Sequence, residues 1–280
     1  MKILISNDDG IHAEGIRVLA ETLAENSQHE VYVVAPERER SATGHSLTLH
    51  KPLRVEPITP PGNVKGAWMT TGTPSDCVKL AVMEILPSRP DLIISGINRG
   101  SNLGSEVLYS GTVAAAMEGA FLDIPSIAVS QLSDDKMVMH FHCSARVIQN
   151  LIDVFPRAHL SRKSLLNVNV PNIPFSELSG TAITELGVRL YNDRFEKRLD
   201  PRGRSYYWLA GVALESEEVE RTDTWAVSKK MVSITPISFN MTDLKTLERL
   251  THLKDIESLT QVHKDYSVGQ TRPQVAPKRK

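Results

Sequence analysis

The residues of this chain best suited to chemistry lie in short polar segments, none of them a complete catalytic signature alone. Asn7-Asp8-Asp9-Gly10 sets two carboxylates side by side. Adjacent carboxylates repel unless a cation or hydrogen-bond donors offset their charge. Oxygen ligands of this kind suit a hard divalent ion such as Mg²⁺ or Mn²⁺. The plain structural alternative is a turn with an Asx cap. A second segment, Arg38 to Ser46, carries hydroxyls at Ser41, Thr43 and Ser46, and His45 suits acid–base work or phosphate holding. Its alternative is a polar loop with a charged rim. A third, Ser95 to Gly104, presents Asn98 and Asn102, whose amide oxygens can ligate a metal without adding charge. A fourth, Tyr109-Ser110-Gly111-Thr112, opens an Ala-rich stretch. There, free N–H groups, hydroxyls and a helix dipole make an anion site, or simply an ordinary N-cap.

These segments need elements to position them. Lys2–Ser6, Val31–Ala35, Asp91–Ser95, Ser126–Ser130 and Leu165–Val170 are short apolar runs that read as buried strands. Helical spacing follows the first at Ile16, Leu19, Ala20 and Leu23. Further helices are expected near Val78 to Ile85, with Ser75 or Asp76 as cap, over Thr112–Leu122 and over Met137–Phe155. Strands alternating with helices predict an α/β fold, a doubly wound, mostly parallel sheet. Ligands in such sheets bind outside the carboxyl ends of the strands, where the first three polar segments begin. Over residues 180–240 the pieces ITEL, RLYNDRF, SYYWLAGV and MVSITPI read as antiparallel hairpins, with RLDPRG as turn chemistry. Such an arm suits subunit contact. Met241 to Leu259 reads as a last helix and residues 261–280 as a frayed polar tail.

Composition narrows the functions. The 280 residues hold 41% hydrophobic side chains and a formal net charge of -1, which is globular and offers no basic surplus for a polyanion. The chain lacks a G-x-G-x-x-G fingerprint, a phosphate-loop lysine motif and an H-E-x-x-H helix. Cys77 and Cys143 stand far apart, against a disulfide scaffold. The brief apolar run at the N-terminus is too short for a signal peptide, and no run reaches membrane-span length. A cytoplasmic location, with no membrane partner and no long nucleic acid, is the expectation.

Taken together the motifs resemble the SurE family of stationary-phase survival proteins, which act as 5'/3'-nucleotidases. The resemblance is carried by SNDDG at 6–10, ERSATGHSLTLHKPL at 39–53, TTGTPSDCVKLA at 70–81, SGINRGSNLG at 95–104 and YSGTVAAAMEG at 109–119, in that order. It continues through YNDRFEKRLDPRG, YYWLAG, TDTWAV and VSITPI, to about residue 240. Glu14 departs from the proline many members have there.

The resemblance implies one divalent cation per subunit, Mg or Mn, held by Asp8, Asp9, Ser41 and Asn98. Asp8 and Asp9 would be the catalytic pair. Asn7, Gly44, His45, Ser46, Asn102, Ser110, Gly111 and Thr112 would surround phosphate or substrate. It also implies a three-layer Rossmann-like core over 1–180, a C-terminal antiparallel hairpin arm with a returning strand and helix over 181–260, a tail over 261–280, and a homodimer or homotetramer. The activity expected is hydrolysis of nucleoside 5'- and 3'-monophosphates. The alternatives are a broader phosphatase or exopolyphosphatase, and a non-catalytic nucleotide-binding module. With no phosphate-loop lysine and no basic surplus, a divalent cation is the positive charge such a site lacks.

Overall fold

A computed structural model describes residues 1–133, 138–154, 164–189, 192, 194–211 and 219–253. Its centre is β1 (Lys2–Ser6), in which Ile3, Leu4 and Ile5 are wholly buried. Burial of successive residues, rather than alternate ones, means both faces of the strand are covered, as in a parallel sheet. β1 pairs in parallel with β2 (Glu30–Pro36) on one side and β5 (Leu92–Arg99) on the other. Beyond β5 lie β6 (Ser126–Gln131) and β7 (Ser164–Val170), also parallel.

One face of the sheet is covered by α1 (Glu14–Ala24) and α4 (Phe141–Val154), whose Ile16, Leu19, Leu23, Ile148 and Ile152 pack on Ile3, Ile5, Ile94 and Val168. The other face is covered by α2 (Pro74–Leu80) and α3 (Gly111–Phe121), through Cys77, Val78 and Ala115 against Leu4, Val34 and Ile93. This is the expected three-layer α/β core. Each fully buried aliphatic side chain contributes roughly 1.5–3 kcal/mol by leaving water.

Several elements differ from the sequence reading. β3 (Val55–Ile58) and β4 (Gly66–Thr70) add an edge that the reading did not anticipate. Both are short, and Pro57 is tolerated because β3 is the edge strand. The pieces ITEL and MVSITPI do not form hairpins. Thr181–Ile183 becomes β8, and Val232–Ser238 becomes β11. Both enter the main sheet, whose order is β3-β4-β2-β1-β5-β6-β7-β11-β8. β11 lies antiparallel to β7 and parallel to β8. Its Val232 and Ile234 pack on one face and Ile237 on the other, which suits an interior strand.

The RLDPRG turn does join a hairpin, β9 (Arg194–Leu199) with antiparallel β10 (Ser205–Ala210). The Asp200 carboxylate accepts the N–H groups of Arg202 and Arg204 across that turn. The pair forms a separate two-stranded sheet. Phe195 and Trp208 on it are 70% and 61% exposed, so this arm has no core of its own.

Residues 1–239 group as one compact unit and 240–280 as another. The first unit holds the short α5 (Asp223–Ser228); among the described residues of the second lies α6 (Leu244–Thr251), capped by Asp243. The expected helix to Leu259 and the tail 261–280 run outside the described residues.

Candidate active site

The carboxyl ends of β1, β2 and β5 meet the first turn of α3. After Ser6 the chain turns sharply. Asn7 closes that turn with both ends of its amide, Nδ2 donating to the Gly10 carbonyl at 2.9 Å and Oδ1 accepting the Gly10 N–H at 3.2 Å. Its side chain is therefore spent on the turn. Asp8 is pressed against α3. The Thr112 hydroxyl donates to its Oδ1, and a Cβ on Gly111 would lie 2.8 Å from the Asp8 Cβ and 2.9 Å from Oδ2. Only glycine leaves space for the carboxylate there. The Arg40 N–H donates to the Asp8 carbonyl at 2.7 Å, tying the segment after β2 to the same point.

β5 runs on to Arg99, past the end expected at Ser95. Gly96 makes this possible. It has φ +136°, and a Cβ there would sit 2.2 Å from the Val129 carbonyl oxygen. The register shifts between Ser95 and Asn98, after which Asn98 pairs with Ser130. That shift sends the Arg99 N–H to Asp9 Oδ2 at 3.0 Å. Asn98 donates Nδ2 to the Gly100 carbonyl at 2.8 Å, and among the described residues no donor meets its Oδ1. Ser41 donates its hydroxyl to Glu39 Oε1 at 2.6 Å.

The electrostatics of this cluster are adverse for bare protein. Burial pushes the Asp8 carboxyl up, against the Thr112 hydroxyl that lowers it. Burial, with the charges of Asp8 and Glu39 adding to it, pushes Asp9 up to about 6 despite the Arg99 amide. No ion pair to either carboxylate occurs among the described residues. Nor do they contain a cluster of three or more His, Cys, Asp or Glu side chains fit for a metal. A cation here would draw on two carboxylates and neutral oxygens. The desolvated acid pair, the free amide oxygen of Asn98 and the all-oxygen chemistry of the set fit a hard divalent ion; Ser41 would join by turning its hydroxyl from Glu39.

The remaining expected residues divide. Ser110 caps α3, its Oγ accepting the Val113 N–H at 3.1 Å, and Gly111 and Thr112 form the first turn beside Asp8. Gly44 reaches the same helix start, its N–H donating to the Tyr109 carbonyl at 3.0 Å. The Ser46 carbonyl accepts the Thr73 hydroxyl at 2.7 Å. Asn102 is turned inward. Its Nδ2 donates to Ser130 Oγ, its N–H to Asn169 Oδ1, and its carbonyl accepts from Asn167 and Asn169. That clamp employs Asn102 in holding the loop, and its side-chain donor is already used.

The sequence model for Survival protein SurE matches residues 3–193 of this chain. The chain belongs to the SurE family. A protein of Pelotomaculum thermopropionicum named 5'-nucleotidase SurE is 52% identical to it over 254 residues, covering 90% of this chain and 95% of that one. Another of that name, from Thermosynechococcus vestitus, is 49% identical over 92% of this chain and 99% of its own. The crystal structure of the SurE protein from Aquifex aeolicus aligns with a TM-score of 0.75 at 38% identity, covering 90% of this chain and all of that one.

Thr73, Asp76 and Asp223 also hold the SurE fold of this chain. α2 is capped by Thr73, not by Ser75 or Asp76; Thr73 Oγ1 accepts the Asp76 N–H while Asp76 Oδ2 accepts the Thr73 N–H. The T-P-S-D spacing is a capping-box signal and was legible in the sequence. The Asp76 carboxylate also accepts the Thr48 N–H at 3.0 and 3.2 Å, pinning the loop that carries Gly44 to Ser46. Asp223, wholly buried, accepts the N–H groups of Gly104 and Gly187 at 2.8 Å each. No local spacing predicts that contact.

Burial raises the Asp76 pKa, but the hydrogen bonds from Thr48 and Thr73 outweigh it and hold the carboxyl below 3.8. A depressed folded value stabilises the protein above the unfolded pKa and ceases to do so as pH falls through the folded one. Asp76→Ala is expected to cost about 1–2 kcal/mol at neutral pH, because it removes the N3 half of the capping box and the acceptor of the Thr48 N–H. The gap between variant and parent should close below pH 3.8, as checked by denaturant melts across pH.

Proposed function

We propose that this chain is a metal-dependent phosphomonoesterase that hydrolyses nucleoside 5'- and 3'-monophosphates to nucleoside and phosphate. The observation that carries the reading is the contact of Asp8 with Gly111 and Thr112. It sets an acidic pair directly against a helix start that presents N–H groups to an anion. Two like-charged groups would exclude each other from such a place, so a bound cation would offset the carboxylate charge and admit a phosphate. The relatives' name, 5'-nucleotidase, favours the 5' part of this reaction.

Asp8, Asp9, Ser41 and Asn98 would hold one divalent cation, Mg or Mn. Bound there, it would supply Lewis-acid polarisation of a phosphate oxygen and a more acidic water. The protein's own part is positional. The first-turn N–H of Gly111 and the loop at Gly44 to Ser46 would receive the phosphoryl oxygens, while Thr112 holds Asp8 and Ser110 holds the helix start rigid. In hydrolysis the P–O bond to the nucleoside breaks, the water oxygen bonds to phosphorus, and one proton passes to the departing alkoxide. The Thr112 and Arg99 donors hold the two aspartates in orientation for that transfer.

We further place the chain in the cytoplasm, as a homodimer or homotetramer joined through the hairpin arm. The free, buried Cys77 and Cys143 suit a reducing compartment. The exposed Phe195 and Trp208 suit a partner surface. Among the described residues no helix is long and apolar enough to cross a membrane.

The test is phosphate release from a panel of nucleoside 5'- and 3'-monophosphates, p-nitrophenyl phosphate and short polyphosphate, with Mn²⁺, Mg²⁺ or EDTA. The expected result is turnover of the nucleotides that EDTA abolishes and either metal restores. Preference for polyphosphate would move the chain to the broader phosphatase class. Nucleotide binding without release from any substrate would make it a binding module.

A further inference from the structure

Glu118 is a buried acid in an otherwise small and apolar helix. It is 3% exposed, in the sequence GTVAAAMEGAF of α3, whose first turn meets Asp8. A buried carboxylate is costly unless paired and hydrogen-bonded, so its partners should say what it is for. Oε2 lies 2.9 Å from His45 Nε2, and Oε1 accepts Lys79 Nζ of α2 at 2.9 Å. Burial raises its pKa, but His45 and Lys79 together hold the carboxyl below the ordinary glutamate range.

The same face of α3 supplies a second contact. Phe121 stacks on the His45 ring, with centroids 5.3 Å apart and planes 15° from parallel. Phe239 backs Phe121 at 4.4 Å. The imidazole is therefore gripped at its edge by Glu118 and on its face by Phe121. His45 sits in a loop without regular structure, yet the loop is tied at Gly44 to Tyr109, at Ser46 to Thr73 and at Thr48 to Asp76. Rigid support of this kind is what a binding group needs and what a plain connecting loop lacks.

We propose that Glu118 is a positioning residue for substrate binding, which accepts the Nε2–H of His45 and so presents the ring's Nδ1 to the substrate. Lys79 supplies the second bond that keeps Glu118 ionised and fixed. The inference rests on the nucleotidase reading for its substrate, and on geometry alone for the ring.

Two measurements test it. Long-range ¹⁵N–¹H spectra of the metal-free chain should show neutral His45 protonated at Nε2, and Glu118→Gln should abolish that preference, because the amide can offer a donor there. This readout needs no turnover, so it stands or falls apart from the activity. In steady state, Glu118→Gln should raise KM for a nucleoside 5'-monophosphate about tenfold, near the loss of one charge-assisted hydrogen bond, with kcat within about twofold. His45→Ala should raise KM similarly, and the double variant should be no worse than either single one. Nδ1-protonated neutral His45 in the parent, an unchanged KM in Glu118→Gln, or additive effects would overturn the proposal. Glu118→Asp, which keeps the charge on a shorter stem, should recover part of the KM defect. A purely structural role would instead lower Tm and kcat together in Glu118→Gln. Absence of turnover by the parent would defeat the nucleotidase reading, and the spectra would still decide the ring geometry.

Discussion

Asp8→Asn and Asp9→Asn are each expected to lower kcat/KM for nucleoside monophosphates on the order of 10³-fold, beyond the 10- to 100-fold typical of groups that only support a ligand. The amide keeps the size of the side chain. It can still accept from Thr112 at position 8 and from the Arg99 N–H at position 9. The packing therefore survives while one negative charge is lost from the pair. Stability should move the other way. Burial raises both carboxyl pKa values, Asp9 to about 6. For an acid raised on folding, the ionised form is penalised in the native state. That penalty is present at neutral pH and is relieved as pH falls through the folded value toward the unfolded one. In metal-stripped protein at pH 7, each asparagine variant should melt at or above the parent temperature. Added Mn²⁺ should raise the melting temperature of the parent but raise that of the variants less. Full activity of either variant, with or without added metal, would remove the acid pair from the mechanism.

Gly111→Ala carries the second large effect and introduces no polar change at all. The new methyl would stand 2.8 Å from the Asp8 Cβ and 2.9 Å from its Oδ2. Asp8 cannot swing aside freely, since it is 4% exposed and held by Thr112. Either the carboxylate or the start of α3 must shift. A displacement near 1 Å in a catalytic group can cost about 10²-fold in rate, so kcat should fall by about that factor. The thermal stability should change little, because alanine is the better helix former and offsets part of the local crowding. An active Gly111→Ala enzyme would mean that the Asp8–Gly111 contact does not set the catalytic geometry. Loss of kcat with a retained melting temperature would show that the contact is a matter of placement.

How much of this was legible beforehand follows from the range of the forces involved. Periodicity marks β1, β2, β6 and β7 and the helices other than α5, because burial on both faces writes continuous apolar runs into a strand and one-sided burial writes a 3.6-residue repeat into a helix. β3 escapes because an edge strand is largely exposed and Pro57 breaks its pattern, and β4 because Gly66-Ala67-Trp68-Met69-Thr70 holds no run of β-branched residues. ITEL and MVSITPI look like hairpin strands in sequence because a strand's partner is a long-range choice. Val232 and Ile237 show on which faces β11 is buried, but not that Asn169 and Thr181 flank it.

For the site, the amino-acid sequence by itself determined the cast: an acidic pair after the first strand, hydroxyls and a histidine after the second, amides after the third, and a Ser-Gly-Thr helix start. Those are local properties of residue type and spacing. The tertiary structure alone decided their employment. It spends Asn7 on its own turn and Asn102 on a clamp of Asn167 and Asn169, and it turns His45 to Glu118. It also brings Gly111 against Asp8 across a sequence separation of 103. Which donor meets which acceptor depends on close packing between strands and helices distant in sequence, and a one-residue shift such as that at Gly96 redirects every side chain beyond it.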